Sequence, residues 1–541
     1  MFAGGLSPST FFLDITGPSR VGFVSDPSAT TDKYLVEAMG GGVAMLDADG
    51  DGKLDIFFVN GAALRTSMKQ GDRPDKSDPR FWNRLYRNNG DGSFTDITAK
   101  AGLQGVGYGQ GVAVGDYDND GRPDLYVTGF GGNTLYRNLG NGTFENVTAK
   151  AGVEGSGWST SAGFIDYDRD GLLDLFVIRY LDWGFEKNKW CGDTKPGMRS
   201  YCHPDQFAPV THLLYRNLGG GRFKETSVEA GITKAPGKGL GVAFNDADRD
   251  GWPDFFVAND SFPQQLFRNL HNGKFEEIGL PLGVAYDEDG KVFAGMGADF
   301  NDYDNDGWPD IFVNALANQG YGLFRNRKTL FEYASVPSGV AATSKMHSGW
   351  GTHFVDFDND GWKDIFVAQG HVLDNIELTQ PGLHYRETPL LLRNAGGKFI
   401  DVSASSGSAF TTPMAGRGAA FGDLDNDGAI DIVVSSNRGA PRILMNAAKG
   451  NGWLLIDTIG TKSNRDGIGA SVRIVTPSGR EQFGFVSSAG SYLSAHDKRV
   501  HFGLGNEKRV RLLEIRWPSG IVQTWTEIAA NQIFVAKEAE K

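Results

Sequence analysis

The sequence predicts an all-β protein built from seven repeated units, and three observations support this prediction. A loop of the form DxDxDGxxD recurs seven times, beginning at Asp47, Asp116, Asp166, Asp246, Asp302, Asp356 and Asp423. Strand-like runs flank the loops, as in GVAVG before the second loop and LYVTG after it. The composition agrees, because 75 Gly and 36 Phe suit tight turns between short aromatic strands better than they suit long helices.

Each unit contains four predicted strands. The acidic loop joins the first two, and a third strand follows with the signature LYRN, LFRN, LLRN or ILMN. A fourth signature, such as SFTDIT or TFENVT, follows six of these seven. The missing seventh copy stands near the start of the chain, as FFLDIT in residues 11–16.

Radial repetition of four-stranded units is typical of a β-propeller, and seven units lie within the usual range of four to eight blades. The strand at 11–16 would complete the last blade and leave no open sheet edge between the first and last units. A linear array of β-repeats, as in β-helices, is the alternative. Its repeats are much shorter than the 50 to 80 residues that separate the loops here. We therefore predict a seven-bladed β-propeller.

The chain is expected to divide into two domains. Residues 1–447 form the predicted propeller, with an insertion at 181–211 in blade three. From about Gly450 the acidic loop no longer recurs, and segments such as ASVRIVTP and VRLLEIRWPSG predict strands of a separate sheet. Residues 448–541 are thus predicted to form a small β-sandwich or barrel domain.

Charge and hydropathy exclude two classes of partner. The formal net charge of −13 argues against nucleic acid, because phosphate contacts need a basic surface. Twenty-eight Asp residues are concentrated in the seven loops, so seven divalent cations would bring the formal charge to +1. No apolar run of 18 residues and no signal sequence is visible, so no membrane span is expected, although a leader before MFAGGLSPST is compatible with the sequence.

The two cysteines, Cys191 and Cys202, lie eleven positions apart in a segment rich in turn-forming residues. A disulfide is the favoured interpretation, because this segment is poor in core-forming residues and needs a covalent link. The alternative is a pair of free thiols in a cytosolic protein.

Each acidic loop follows the chemistry of an EF-hand loop, in which oxygens at positions 1, 3 and 5 and a backbone carbonyl at position 7 surround Ca²⁺. Gly at position 6 permits the sharp turn, and an Asp at position 9 replaces the distant Glu. The predicted metal ligands, loop by loop, are Asp47, Asp49, Asp51, Lys53 and Asp55; Asp116, Asp118, Asp120, Arg122 and Asp124; Asp166, Asp168, Asp170, Leu172 and Asp174; Asp246, Asp248, Asp250, Trp252 and Asp254; Asp302, Asp304, Asp306, Trp308 and Asp310; Asp356, Asp358, Asp360, Trp362 and Asp364; and Asp423, Asp425, Asp427, Ala429 and Asp431.

Calcium is the metal that this ligand set favours. Four carboxylates within nine residues repel one another unless a cation lies between them. Oxygen ligands without His or Cys favour Ca²⁺ over zinc or copper, and Mg²⁺ retains more water than such a loop allows. A solvated Asp-Gly hairpin is common for a single loop, but seven complete copies argue against it. We expect about seven calcium ions in a structural role.

The repeats, in the context GxAxxDxDxDGxxD, resemble FG-GAP/VCBS repeats, the units of integrin-α-like propellers. The segments NGWLLIDTIGTKSNRDGIGASVRIVTPSG and IRWPSGIVQTW are similar to the ASPIC/UnbV domain of cartilage acidic protein relatives, and YCHPDQF resembles that family's insertion in blade three. The resemblance implies calcium binding, an extracellular, periplasmic or cell-surface location, and matrix or receptor interactions in animals. It supplies no catalytic residue.

A polar set is expected at the mouth of the central channel, on the face opposite the acidic loops. As a ligand site for a small polar molecule or a partner loop, it would comprise Arg179, Tyr180, Asp260, His347, His371, Arg417 and Arg438. The alternative, which we favour, is that these residues satisfy backbone groups of the turns and the channel, because no nucleophile and base are joined by motif spacing.

Three functional hypotheses follow. The first is an exported calcium-binding recognition or scaffold protein for a protein or glycan partner. The second is an enzyme with its active site at the channel mouth, using a second metal at His347 or His371. The third places partner binding on the C-terminal domain, at Asn464, Arg465, Asp466 and the HFGLG turn.

Overall fold

A computed structural model describes residues 11–540 and confirms the all-β prediction. The seven repeats form seven sheets of four antiparallel strands each, which we number 1 to 7 along the chain. Their strands are Val43–Leu46, Asp55–Phe58, Arg84–Asn88 and Phe94–Asp96 in sheet 1; Tyr108–Gly115, Asp124–Phe130, Thr134–Gly140 and Thr143–Asn146 in sheet 2; Ser159–Ile165, Asp174–Arg179, Leu213–Asn217 and Phe223–Glu225 in sheet 3; Gly239–Asn245, Asp254–Asn259, Gln265–Asn269 and Phe275–Glu277 in sheet 4; Ala298–Asn301, Asp310–Val313, Gly322–Asn326 and Phe331–Tyr333 in sheet 5; Gly349–Val355, Asp364–Gln369, Leu390–Asn394 and Phe399–Asp401 in sheet 6; and Gly416–Gly422, Asp431–Ser436, Arg442–Asn446 and Phe12–Asp14 in sheet 7.

The seven sheets close into a ring. The first strand of each sheet contacts the first strand of the next, and the first strand of sheet 7 contacts that of sheet 1. The N-terminal strand pairs with the third strand of sheet 7, with Phe12 opposite Asn446. The predicted strand at 11–16 is thus present, with the bounds Phe12–Asp14. The architecture is a β-propeller, with the first strands innermost.

Burial follows the position of each strand in its sheet. The first two strands of every sheet are almost wholly buried, whereas the short fourth strands bury one aromatic residue and expose their other positions, as in Phe94–Asp96. Helical segments in the described chain are one or two turns long. The α-helices are Val36–Met39, Thr98–Ala101, Thr148–Ala151, Ser335–Ser338 and Val340–Ser344, and the 3₁₀ segments are Pro79–Phe81, Phe185–Lys187, Pro204–Gln206, Ile232–Lys234, Ile376–Leu378, Ser403–Ser405 and Ser408–Thr411.

The asparagine that ends each LYRN-type signature links neighbouring sheets. In sheet 2, Asn138 Nδ2 donates to the carbonyl of Pro123 in its own acidic loop and to that of Ala48 in the loop of sheet 1. Asn88 makes the bond that closes the ring, from sheet 1 to the carbonyl of Leu424 in the loop of sheet 7. The equivalent residues in the other five sheets are Asn217, Asn269, Asn326, Asn394 and Asn446.

Asn138→Ala is expected to lower the free energy of unfolding by about 1–3 kcal/mol, because it leaves buried carbonyl groups on two sheets without a donor. Asn506 is exposed in a turn of the C-terminal region, so Asn506→Ala is the matched control and should change stability by less than about 0.5 kcal/mol. Denaturant unfolding of both variants measures the difference. Equal stability of the two variants would contradict the proposed role of the asparagine ring.

Two further sheets follow the propeller. One has the strand order Val500–Gly505, Gly452–Ile459 and Gln532–Lys537, and the other has Glu481–Phe485, Ser471–Val475, Arg509–Arg516 and Val522–Ala529. The expectation of a turn at HFGLG was wrong, because residues 501–505 belong to a strand that pairs with Gly452–Ile459. The domain boundary at residues 447 and 448 stays a prediction.

Residues 488–497, which we call the channel segment, run from the C-terminal sheets into the centre of the ring. Ala298 and Ser491 exchange backbone hydrogen bonds, Val112 N–H donates to Leu493 O, and Ala495 N–H donates to Val43 O. These contacts reach the first strands of sheets 5, 2 and 1, so the segment fills the axis of the propeller.

Glycine in the innermost strands makes room for the channel segment. A Cβ on Gly42 would lie 2.7 Å from Leu493 O, and a Cβ on Gly111 would lie 3.1 Å from Leu493 Cα. The small-residue runs before the acidic loops therefore have a physical reason, since a larger side chain would collide with the segment.

The insertion in blade three contains a short hairpin, Cys191–Gly192 paired with Arg199–Ser200. Cys191 and Cys202 form the predicted disulfide. No helix in residues 11–540 is long and apolar enough to cross a membrane.

Candidate metal centres and the opposite cavity

The acidic loops share one backbone conformation, which the first Asp of each loop stabilises. In the second loop, Asp116 Oδ1 accepts from Asp120 N–H at 3.0 Å and Oδ2 accepts from Gly121 N–H at 2.7 Å. The bond to the Gly at position 6 occurs in all seven loops. That Gly has φ between +82° and +93°, a left-handed conformation that side chains with a Cβ rarely adopt.

The Asp at position 9 joins the loop to the third strand of its sheet. Asp124 Oδ2 accepts from Tyr117 N–H, and Oδ1 accepts from Asn138 N–H at 2.7 Å. Because this carboxylate begins the second strand, it holds the loop against two other parts of the sheet. Its position is therefore fixed by the fold, independently of any ion.

The loop geometry brings carboxylates close enough to share a cation. Oxygens of Asp47, Asp49 and Asp55 lie within 4.8 Å of one another, and so do those of Asp116, Asp118 and Asp124. Three further clusters are formed by Asp166, Asp168 and Asp170, by Asp246, Asp248 and Asp250, and by Asp302, Asp304 and Asp306. Several Asp clusters could thus hold a metal ion.

Unpartnered oxygens show that the loops fit a cation. Buried Oδ1 atoms of Asp49, Asp118, Asp168 and Asp302 have no hydrogen-bond donor within the described chain. A buried carboxylate oxygen without a donor is costly unless a cation or water contacts it. Oxygen-only donors at this spacing suit a hard divalent cation.

Burial raises the pKa of the first and the ninth Asp of each loop, and the neighbouring carboxylates raise it further. The pKa of Asp55 rises to about 7 and that of Asp124 to about 9. Burial also places the pKa of the position-9 residues Asp174, Asp254, Asp310, Asp364 and Asp431 well above the usual range. A cation would counteract this destabilisation of the charged form.

Arginines of the third strands form ion pairs with the loops, a role that sequence reasoning missed. Arg137 Nε lies 2.6 Å from Asp118 Oδ2, and Arg393 Nε lies 2.7 Å from Asp358 Oδ2. Arg216 and Arg325 make the equivalent pairs in sheets 3 and 5. The recurrence of Arg in LYRN, LFRN and LLRN was the available signal, and Met445 replaces it in sheet 7.

The C-terminal region packs on the acidic-loop face. Asp466 Oδ2 accepts from Asp116 N–H at 2.7 Å, and Arg465 N–H donates to Asn119 Oδ1. Asn464 is buried and bonds to Ile468. Asn464 and Asp466 are thus occupied by contacts within their own turn and with the propeller, whereas Arg465 is exposed, and a partner site at these residues stays a prediction.

Further contacts reach the sixth and seventh loops. Arg480 donates to Asp360 O at 2.6 Å, and Arg499 Nη1 donates to Asn426 Oδ1. Lys363 Nζ donates both to Asp302 O and to Phe483 O, which connects loop five with the C-terminal sheet. A cavity of about 320 Å³ remains beside loops one and two, lined by Asp47, Asp49, Arg122, Asp466 and Lys498.

The opposite face has a cavity of about 220 Å³, which we call the face cavity. It contains three residues of the predicted channel-mouth site, Tyr180, Asp260 and His371, beside Cys202 and His203 of the insertion. The channel-mouth prediction thus locates a cavity, and a ligand there stays a prediction.

The other four channel-mouth residues bond to protein groups. Arg179 donates to Thr211, and His347 Nδ1 lies 2.9 Å from a carboxylate oxygen of Glu387. Arg438 pairs with Asp374 at 2.7 Å. Arg417 is wholly buried, and its guanidinium donates to backbone carbonyls, as the structural alternative predicted.

Two family models match the chain. A model described as FG-GAP-like repeat matches residues 47–127, 116–177, 246–313 and 302–367, and one described as ASPIC and UnbV matches residues 460–541. Cartilage acidic protein 1 of Xenopus tropicalis is 26% identical over 310 residues, which cover 55% of this chain and 44% of that protein. The human protein of the same name is 26% identical over 309 residues, covering 55% and 43%.

The chain therefore spans less than half the length of these relatives. Among solved structures, an Agrocybe aegerita lectin that recognises non-reducing terminal N-acetylglucosamine aligns with a TM-score of 0.37 and 16% identity. The alignment covers 67% of this chain and 79% of the lectin chain.

Proposed function

Because this chain carries FG-GAP-like repeats and a C-terminal ASPIC and UnbV domain, we propose that it is an exported calcium-binding propeller that acts as a recognition or scaffold protein. The clustered, buried and partly unpartnered carboxylate oxygens of the acidic loops are the observation on which the calcium assignment depends. The predicted ligands are positions 1, 3, 5 and 9 and the position-7 carbonyl of all seven loops, with about seven ions per chain.

The calcium role is structural in this proposal. Each loop joins the two innermost strands of a sheet, and its carbonyl groups accept hydrogen bonds from the neighbouring sheet. An ion that fixes the loop therefore stiffens the contact between sheets. Extracellular calcium modules bind at about 10⁻⁴–10⁻³ M, so the sites would stay filled outside the cell.

Export is supported by the disulfide between Cys191 and Cys202, since disulfides persist mainly in oxidising compartments. The linked insertion lies on the face opposite the acidic loops, where it lines the face cavity. The loop face is covered in part by the C-terminal region, so the opposite face is the more accessible of the two.

A protein or glycan partner is expected to bind this opposite face. Trp190 is 55% exposed and lies beneath the guanidinium of Arg199, and Leu378 is 63% exposed in the nearby segment 376–378. Exposed aromatic residues with Arg neighbours have the composition of binding hot spots. Rigid loops on a propeller would present them in a fixed arrangement.

The test is binding of the full calcium-loaded chain to a printed glycan array and to a panel of purified extracellular proteins. We expect saturable binding to at least one member, and Trp190→Ala should weaken it by about tenfold or more. Val228 is 70% exposed on a loop outside the insertion, and Val228→Ala should leave binding unchanged. Equal loss in both variants, or no saturable binding to either panel, would refute a recognition role for this face.

A further inference from the structure

The face cavity has mostly apolar walls. Leu35, Met39, Met296, Trp350 and Leu373 line it, and its volume of about 220 Å³ is below the range of drug-sized sites. Such a space suits a ligand smaller than a typical drug molecule. No lysine or arginine is among the described residues that line it.

One buried carboxylate faces this apolar space. Asp260 is 6% exposed; its Oδ2 accepts from Tyr180 O–H at 2.5 Å and its Oδ1 accepts from Ser261 O–H at 3.0 Å. Across residues 11–540, no lysine, arginine or histidine nitrogen lies within ion-pair distance of Asp260. Burial raises the pKa of Asp260, because a buried carboxylate with only hydroxyl donors lacks charge compensation, and a bound cation would favour its charged form.

Two basic side chains near the cavity, Lys238 and Arg417, bond to other groups. Lys238 Nζ donates to Pro204 O and lies 3.4 Å from Asp205 Oδ1, a carboxylate outside the cavity lining. Arg417 lies over the Trp350 ring at 4.0 Å, and its donors are taken by the carbonyls of Ala38, Gly416 and His371. His203 and Lys238 favour the charged form of Asp260, but both pair with Asp205, and neither lies within ion-pair distance of Asp260.

His371 contributes a hydrogen-bond donor to the cavity and no positive charge near neutral pH. Its Nδ1 accepts from Leu373 N–H at 3.0 Å, which places the proton on Nε2. Burial lowers the pKa of His371 to about 4, so the ring is neutral. The cavity thus combines one carboxylate, several neutral polar groups that include His371, and an apolar, aromatic wall.

We propose that the face cavity binds a small organic ammonium compound with an apolar body. The ammonium group would donate to Asp260 and supply the missing positive charge, while the hydrocarbon part would pack against Met39, Met296 and Trp350. A hydroxyl acceptor on the same molecule would suit His371 Nε2. This site is independent of the calcium loops and of the partner proposed for the face, so its failure leaves both untouched.

The test measures binding of 2-phenylethylamine and of its uncharged counterpart 2-phenylethanol to the full chain by isothermal titration calorimetry. We expect the amine to bind at least about tenfold more tightly than the alcohol. Asp260→Asn should remove this preference, whereas Asp205→Asn, which changes an exposed carboxylate on the same face, should keep it. Equal binding of amine and alcohol, or a preference that survives in Asp260→Asn, would overturn the assignment.

A second variant covers the case in which Asp260→Asn does not fold. Leu373 is half-buried at the cavity wall, so Leu373→Trp should fill the space and abolish binding of the amine. Undiminished binding in Leu373→Trp would place the amine elsewhere and overturn the assignment.

A blocked tripeptide with a central lysine presents the same ammonium group from a protein source. Binding of either compound through Asp260 supports the assignment. The compound that binds more tightly identifies the source of the ligand.

Discussion

Removal of calcium is expected to lower the melting temperature of the protein by at least about 10 °C. Seven loops each hold four Asp side chains, and the position-9 carboxyls are almost completely buried. Without a cation, these carboxylates repel one another and are not hydrated by water. The folded state therefore loses stability at every sheet. Differential scanning calorimetry before and after passage through a chelating resin measures the shift.

The pH dependence of the calcium-free protein gives a second readout. Burial raises the pKa of Asp55, Asp116 and Asp166 from the ordinary 3.8 to about 7. The folded state then binds more protons than the unfolded state between about pH 4 and 7, so stability falls as pH rises through that window. Calcium binding needs the deprotonated carboxylates, and calcium-loaded protein should therefore lose stability as pH falls instead.

A single-site variant separates a specific ion effect from general charge repulsion. Asp118→Asn replaces one carboxylate oxygen of the second loop by an amide group and removes its negative charge, so it should lower the calcium count by one. Asp91→Asn changes a carboxylate in an exposed turn outside the loops and should lower neither the count nor the melting temperature. A chelation shift smaller than a few degrees, with no difference between these variants, would contradict a structural role for the loops.

Loss of the channel segment is expected to destabilise the whole propeller. Leu493 is fully buried at the axis, its carbonyl accepts from Val112 N–H and its N–H donates to Ser161. Leu493→Ala should therefore lower the free energy of unfolding by about 2–5 kcal/mol. Denaturant unfolding monitored by fluorescence measures this change.

The matched control lies in the same C-terminal region. Val522 is 47% exposed, so Val522→Ala should cost less than about 0.5 kcal/mol. Truncation after residue 449 is the stronger test, since one apolar core contains both Phe176 of the propeller and Ile474 of the C-terminal sheets. A truncated chain that stays monomeric and melts at the temperature of the full chain would show that the channel segment is dispensable.

Sequence reasoning predicted the features that depend on local pattern. The four signatures per unit predicted the strands, and the unmatched FFLDIT predicted that the N-terminal strand would complete sheet 7. The acidic loops were recognisable because the turn chemistry of Gly and the spacing of the Asp residues both lie within nine positions. Such signals need no knowledge of which sheets are neighbours.

Features that depend on distant contacts were not predicted. The segment SSAGSYLSAHD has no strand or helix period, and its burial arises only because six innermost strands surround it. The recurring Asn of LYRN was visible, but its bond to the neighbouring loop appears only after the ring closes. The docking of Arg465 and Asp466 on the second loop was unpredictable for the same reason.

The acidic loops and the C-terminal region are parts of one structure. The acidic loops are contacted by Asp466, Arg480 and Arg499, while their carbonyl groups accept from the asparagine ring. Loss of ions should therefore loosen both the contact between sheets and the docking of the C-terminal sheets. In the proposed function, recognition takes place on the opposite face, where the insertion and the face cavity lie.

Elemental analysis of the purified full-length protein tests the central claim most directly. The account predicts about seven calcium ions per chain, one for each DxDxDGxxD loop, and no stoichiometric transition metal. Calcium well below this count in protein purified with millimolar calcium would contradict the metal assignment of the loops. One equivalent of a transition metal would instead favour an enzyme with its metal at the channel mouth.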